Sequence, residues 1–136
     1  MSARDRQKLF TDAASFLSNL DADWARAIDV IGPCTHEPKT AREPYEALIR
    51  AVAYQQLTAK AGDAIIGRLC AEAGGVFPEP DALLSIDDGT LRGCGFSRTK
   101  AATVQDIASG AKSGLVPFGR QAKCMTDDVL IERLTS

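Results

Sequence analysis

At 136 residues, with 45% hydrophobic side chains and a mean hydropathy of −0.10, the chain is long enough for one compact domain, 1–136, with its own core, and its composition is not that of a disordered segment. A formal net charge of −2 argues against a polycationic nucleic-acid coat, and apolar stretches such as Ala47-Leu48-Ile49 are broken by charge long before they reach the length of a membrane span. The start of the chain, Met1 to Arg6, has no apolar core followed by a small-residue cleavage site, so a cytoplasmic protein with no membrane partner is expected.

Helical spacing recurs along the chain and strand alternation does not, so the fold class is read as all-α. Leu9, Phe10, Ala13, Phe16, Leu17 and Leu20 fit one face of a first helix, after which Asp21 can cap a second. The second helix is expected to turn Trp24, Ala27, Ile28 and Ile31 inward and to stop at Gly32-Pro33. A Pro/Thr-rich connector containing His36 runs to Pro44, which suits the first turn of a third helix with Tyr45, Leu48, Ile49, Val52 and Ala53 on its apolar face. Thr58 can cap a fourth helix whose inward set is Ala61, Ile65, Leu69 and Ala73, ending at Gly74-Gly75. Two short helical turns are expected around Ala82-Leu83-Leu84 and from Asp88 to Arg92. Ser97 then caps a longer helix with Ala101, Val104, Ile107, Ala108 and Ala111 inward, closed by Gly114. A last helix opens at Thr126 and is expected to gather Leu130, Ile131 and Leu134 on one side.

Cys34, Cys70, Cys94 and Cys124 stand singly, without a C-x-x-C pair, and His36 is the only histidine, so no metal or other cofactor is expected and the cysteines read as reduced, mostly buried thiols. Charge is unevenly spread. From Gly89 to Met125 the basic residues Arg92, Arg98, Lys100, Lys112, Arg120 and Lys123 face Asp106 alone, whereas Ala71 to Asp88 holds only acids. The basic stretch is either a local cationic face or a solvated surface whose signs happen to cluster.

The most informative run joins the third and fourth helices, Pro44-Tyr45-Glu46-Ala47-Leu48-Ile49-Arg50-Ala51-Val52-Ala53-Tyr54-Gln55-Gln56-Leu57-Thr58-Ala59-Lys60-Ala61. An apolar helix that ends in two glutamines, an apolar residue and a hydroxyl cap places amide side chains at a protruding tip, although by physics alone Gln55 and Gln56 can also be an ordinary polar helix end. This run resembles the glutamine-bearing helix–loop–helix of the helix-hairpin-helix DNA glycosylase superfamily, in particular its 3-methyladenine branch. Downstream, Leu91-Arg92-Gly93-Cys94-Gly95-Phe96-Ser97-Arg98-Thr99-Lys100-Ala101 is similar to that family's glycine turn and "Ser-x-x-Lys-Ala" helix start, at matching spacing.

The resemblance implies an all-α helical bundle corresponding to the amino-terminal part of the glycosylase fold, a double-stranded DNA partner carrying alkylated bases, and base-excision repair by N-glycosidic release of alkylated purines. Such chemistry requires the base to leave the stack, and a side chain must then fill the gap. By resemblance Gln56 or Leu57 is the wedge, Gln55 lies near the flipped base, Thr58 caps its helix beside a phosphate, and Lys60, Arg98 and Lys100 belong to the DNA-facing set. Gly93-Cys94-Gly95 reads as the earlier glycine turn and not as the hairpin. The hairpin and the catalytic aspartate are expected beyond Ser136, so Asp106, Asp127 and Asp128 are not assigned to catalysis and activity is expected to be impaired in a fragment, a shortened gene product or a subunit. The missing part is expected to leave Leu130, Ile131 and Leu134 uncovered and to favour self-association. The alternative is a non-catalytic helical DNA-binding or protein-interaction module.

Overall fold

The computed structural model describes residues 2–37 and 42–135, so the later part of the Pro/Thr-rich connector, 38–41, lies outside the described residues. Among the described residues all regular structure is helical: α1 (Ala3–Ser18), α2 (Ala22–Ile31), α3 (Pro44–Tyr54), α4 (Ala59–Glu72), α5 (Pro80–Leu84), α6 (Asp88–Cys94), α7 (Arg98–Ser113), α8 (Gly119–Ala122) and α9 (Asp127–Thr135). The chain forms two compact units, 1–40 and 41–136.

In the first unit α1 packs on α2. Ser2 and Asp5 form a reciprocal capping box at the start of α1, and those hydrogen bonds from Ser2 hold the Asp5 carboxyl below its ordinary range. Asp21 caps α2, accepting from the amides of Asp23 and Trp24 at 2.9 Å, as its place in the sequence suggested. The apolar faces are only partly covered. Phe10, Leu17, Ala27 and Ile28 are half-buried, whereas Phe16 is 66% and Ile31 78% exposed and Leu9, Leu20 and Trp24 also stand in water. The expectation that all of these turn inward is corrected for a geometric reason. One seam between two helices covers the line of contact and leaves the shoulders of a wider apolar stripe open.

The second unit holds the core. Pro44 opens α3, and Ile49, Val52 and Ala53 are buried with Tyr45 and Leu48 half-buried beside them. On α4 Ile65, Ile66 and Leu69 are buried, and Gly74 and Gly75, both at positive φ, end the run. Helix α7 packs on α3, α5 and α6 and contributes Ala101, Val104 and Ala108; Leu83, Leu91, Cys94 and Phe96 close the cluster. Burial raises the pKa of the Cys94 thiol. Cys70 is half-buried, but Cys34 and Cys124 are exposed, which corrects the expectation of mostly buried thiols.

Two features at the end of the chain were not visible in the pattern. Helix α8 is a four-residue turn, too short for periodicity, and the Glu43 carboxylate accepts from its Gly119 amide at 2.7 Å. On α9, Leu130 and Leu134 are half-buried and Ile131 is 59% exposed, so the three do not share one uncovered face. The Arg133 guanidinium reaches back to the carbonyls of Gly114 and Leu115 and so bonds the C-cap of α7 and the residue after it.

The α3–α4 contact depends on Gly62. A Cβ there would lie 2.5 Å from Tyr54 Cδ1 and 2.7 Å from Cγ, and the ring is held in place because Tyr54 Oη donates to Asp63 Oδ1. In an open helix, Gly→Ala gains about 1 kcal/mol of propensity, whereas overpacking costs about 1–3 kcal/mol. Gly62→Ala is therefore expected to destabilise by about 1 kcal/mol in urea unfolding, and the same change in a Tyr54→Ala background to stabilise. Destabilisation of equal size in both backgrounds would exclude the ring as the cause.

Candidate functional site

The tip between α3 and α4 is built by a tight turn. Gln55 has φ −52° and ψ 126°, Gln56 has φ +57°, and the Leu57 amide donates to the Tyr54 carbonyl at 3.1 Å, the pattern of a type II turn. The third position of that turn favours glycine because its φ is positive. Gln56 is the one non-glycine residue with positive φ among the described residues. Holding a glutamine there costs about 1–3 kcal/mol and persists only where the surroundings fix it. Residues 55–60 are all exposed, including the apolar Leu57 at 44%, so the turn projects two amides and an isobutyl group into solvent.

The two helices that start beside this turn are capped as their sequences suggested. Thr58 accepts from the Ala61 amide at 3.3 Å to open α4, and Ser97 accepts from the Lys100 amide at 3.2 Å to open α7. Each helix start leaves amide donors and a positive dipole end, which favour an anion. Lys60 lies in the first turn of α4 and Arg98 in the first turn of α7, both exposed.

Lys100 joins the two motifs in space. Its Nζ donates to the Gln55 carbonyl at 2.8 Å and to the Ala53 carbonyl at 3.3 Å, across 45 and 47 residues of sequence. The carbonyls at the end of α3 are then accounted for: Ala51 and Val52 accept from the Gln55 amide, Tyr54 from Leu57, and Ala53 and Gln55 from Lys100. A hydrogen bond from a charged donor is worth about 1.5–3 kcal/mol, enough to offset the strain at Gln56. The structure thus brings Gln55, Gln56, Leu57, Thr58, Lys60, Arg98 and Lys100 to one end of the unit, with Lys100 half-buried and engaged with the backbone.

The other basic residues divide. Lys112 pairs with Asp81 at 2.5 Å, and Arg68 of α4 donates through Nε to the Cys94 carbonyl at 2.7 Å, capping the end of α6. Arg92, Arg120 and Lys123 are exposed. Sequence reasoning missed Arg68 as a support for the glycine turn, because an arginine on a helix carries no local signal of its partner.

At the other end of α3, about 16 Å away by helical rise, an open cleft of roughly 460 Å³ is lined by Tyr45, Phe77, Glu43, Glu46, Glu79 and Asp81. Burial raises the pKa of the Tyr45 phenol, which donates to the Pro78 carbonyl at 3.1 Å. Lys112 also lines the cleft and pairs with Asp81, but four carboxylates against one ammonium leave the lining acidic and a poor partner for phosphate, so charge separates it from the amide-rich tip.

Similarity to known proteins agrees with this geometry. The model of the HhH-GPD superfamily of base excision DNA repair proteins matches residues 49–136. A DNA-3-methyladenine glycosylase of Schizosaccharomyces pombe is 40% identical over 92% of this chain and 56% of its own length, and an alkylbase DNA glycosidase-like protein of the same yeast is 32% identical over 90% and 59%. Among solved structures, a 3-methyladenine DNA glycosylase of S. pombe in complex with abasic DNA superposes with a TM-score of 0.76 at 40% identity, covering 91% of this chain and 61% of that one. A DNA-3-methyladenine glycosidase of Bacillus halodurans gives 0.71 at 25% identity, covering 98% and 56%. The chain therefore spans a little over half the length of these relatives. With its glutamine tip and glycine turn in place in an all-helical unit, the chain belongs to the HhH-GPD superfamily of base excision DNA repair proteins, in the 3-methyladenine glycosylase branch.

Proposed function

We propose that this chain recognises duplex DNA carrying alkylated bases, using the Gln55–Leu57 tip as the wedge that enters the duplex and the starts of α4 and α7, with Lys60 and Arg98, as the phosphate-facing rim. The observation that carries the reading is Gln56 at φ +57°, a strained polar residue held on an exposed tip between two capped helix starts. The S. pombe relative solved with abasic DNA supports the choice of partner. The activity proposed for the protein is N-glycosidic release of alkylated purines of the 3-methyladenine type. None of Asp106, Asp127 and Asp128 is proposed as the catalytic carboxylate: Asp106 is exposed on α7, and the other two stand in the first turn of α9, where the helix dipole favours acids.

Equilibrium binding to a duplex with one abasic-site analogue, measured across a salt series, tests the reading. Binding is expected to weaken with salt, and Arg98→Ala and Lys60→Ala are each expected to reduce the log–log slope by about 0.9, the value of one phosphate contact on duplex DNA. Slopes unchanged in both variants would remove the rim. The second reading, a non-catalytic helical module, draws on the exposed Phe118, Val129 and Ile131. A 3-methyladenine release assay beside the binding series separates the two, and sedimentation of wild type and Ile131→Glu tests self-association through the Leu130/Ile131/Leu134 region.

A further inference from the structure

Lys100 has two uses open to it, a DNA phosphate or the backbone, and its geometry favours the second. Its ammonium lies 2.8 Å from the Gln55 carbonyl and 3.3 Å from that of Ala53, a residue with no exposed surface. These carbonyls flank Tyr54, the first residue of the turn that carries Gln56 at positive φ. A lysine has three donors on one point charge, so an ammonium spanning two carbonyls has two of them engaged with the backbone and keeps one N–H for any other acceptor. Arg98, two residues earlier and exposed, has no such engagement with α3 among the hydrogen bonds of the described residues.

We infer that Lys100 is the positioning residue of the tip: it fixes the end of α3 so that Gln56 projects, and it ties the glycine turn and the start of α7 to the wedge. This rests on the DNA-binding reading above and adds to it the element that holds the wedge. A chain of contacts follows, in which Gly95 and Phe96 place Ser97, Ser97 starts α7, and the first turn of α7 delivers Lys100 to α3.

A double-mutant cycle of Lys100→Met with Gln56→Ala tests the inference, using a labelled duplex bearing one abasic-site analogue and a salt series for each protein. Lys100→Met is expected to weaken binding about ten-fold with the wild-type salt slope retained, and to add little in the Gln56→Ala background. Additive losses would mean a general structural role, a slope reduced by about one phosphate would mean a direct DNA contact, and unchanged affinity would mean no role; each overturns the inference. Lys100→Gln keeps a neutral donor at the site and serves if the methionine variant does not fold, with the same slope expected. Hydrogen exchange of the Leu57 amide needs no DNA. It is expected to speed up in the Lys100 variants while the Ile86 amide, in a comparable turn bonded to Leu83, stays unchanged. Wild-type protein that fails to bind the duplex would count against the DNA-binding reading, and Leu57 exchange unaltered by Lys100 substitution would count against this one.

Discussion

Gly95→Ala is expected to lower the unfolding free energy by about 2–5 kcal/mol, a large share of the roughly 5–15 kcal/mol that holds a domain folded. Two costs add. The residue caps α6 at φ +110° and ψ 9°, where a Cβ strains the backbone by about 1–2 kcal/mol. A Cβ would also meet Arg68 Nη2 at 2.8 Å and Ile65 Cγ1 at 3.0 Å, and overpacking of this kind costs about 1–3 kcal/mol. The arginine cannot move away freely, because its Nε is spent on the Cys94 carbonyl at 2.7 Å. Urea unfolding should show a lower midpoint at an unchanged slope, the sign of lost stability and not of an altered unfolded state. Gly93→Ala is the control. It is helical, has negative φ and nothing within 4 Å of its added Cβ, and should be neutral or gain up to about 1 kcal/mol. Equal losses at both positions would mean that neither the conformation nor the close approach to α4 is what Gly95 supplies.

Gln56→Gly should separate stability from binding. Glycine relieves the positive φ, so the variant is expected to be about 1 kcal/mol more stable than Gln56→Ala, which keeps the strain without the amide. Both variants lose the proposed wedge. Affinity for a duplex with an abasic-site analogue should fall about ten-fold or more in each, the scale of a single well-placed contact of about 1.4 kcal/mol or more. Thermal unfolding and duplex binding on the three proteins decide it. A glycine variant that is more stable and binds as well as wild type would show that the strain at this position serves neither recognition nor the fold, and the wedge assignment would fall.

These two positions mark the boundary between what local chemistry encodes and what it does not. Asp21, Thr58 and Ser97 were legible as caps, since a short oxygen-bearing side chain before an apolar-periodic run bonds amides only two or three residues away. The inward faces of α3, α4 and α7 were legible for the same reason: within a helix, spacing alone puts residues on one side. The glutamine run and the glycine turn, quoted as motifs, were enough to point to the family that the comparisons then established.

Tertiary structure decided the rest. Periodicity says which stripe is apolar but not what lies across from it, so the faces of α1 and α2 read as inward although Phe16 and Ile31 are exposed, and Ile131 read as one of three where only Leu130 and Leu134 are half-buried. Lys100 read as one cation in a basic stretch; that it bonds the end of α3 depends on carbonyls 45 and 47 residues away. Gln56 read as an amide on a tip, and its positive φ follows from the turn that closes between Tyr54 and Leu57 once α3 and α4 are packed. The sequence by itself determined the helices other than α8, the caps Asp21, Thr58 and Ser97, and the family. Only the packing of distant segments decided which basic residues stand exposed and which bond the ends of helices, because a helix-end carbonyl without a backbone donor offers a cation a hydrogen bond and cannot be seen from the residues next to that cation.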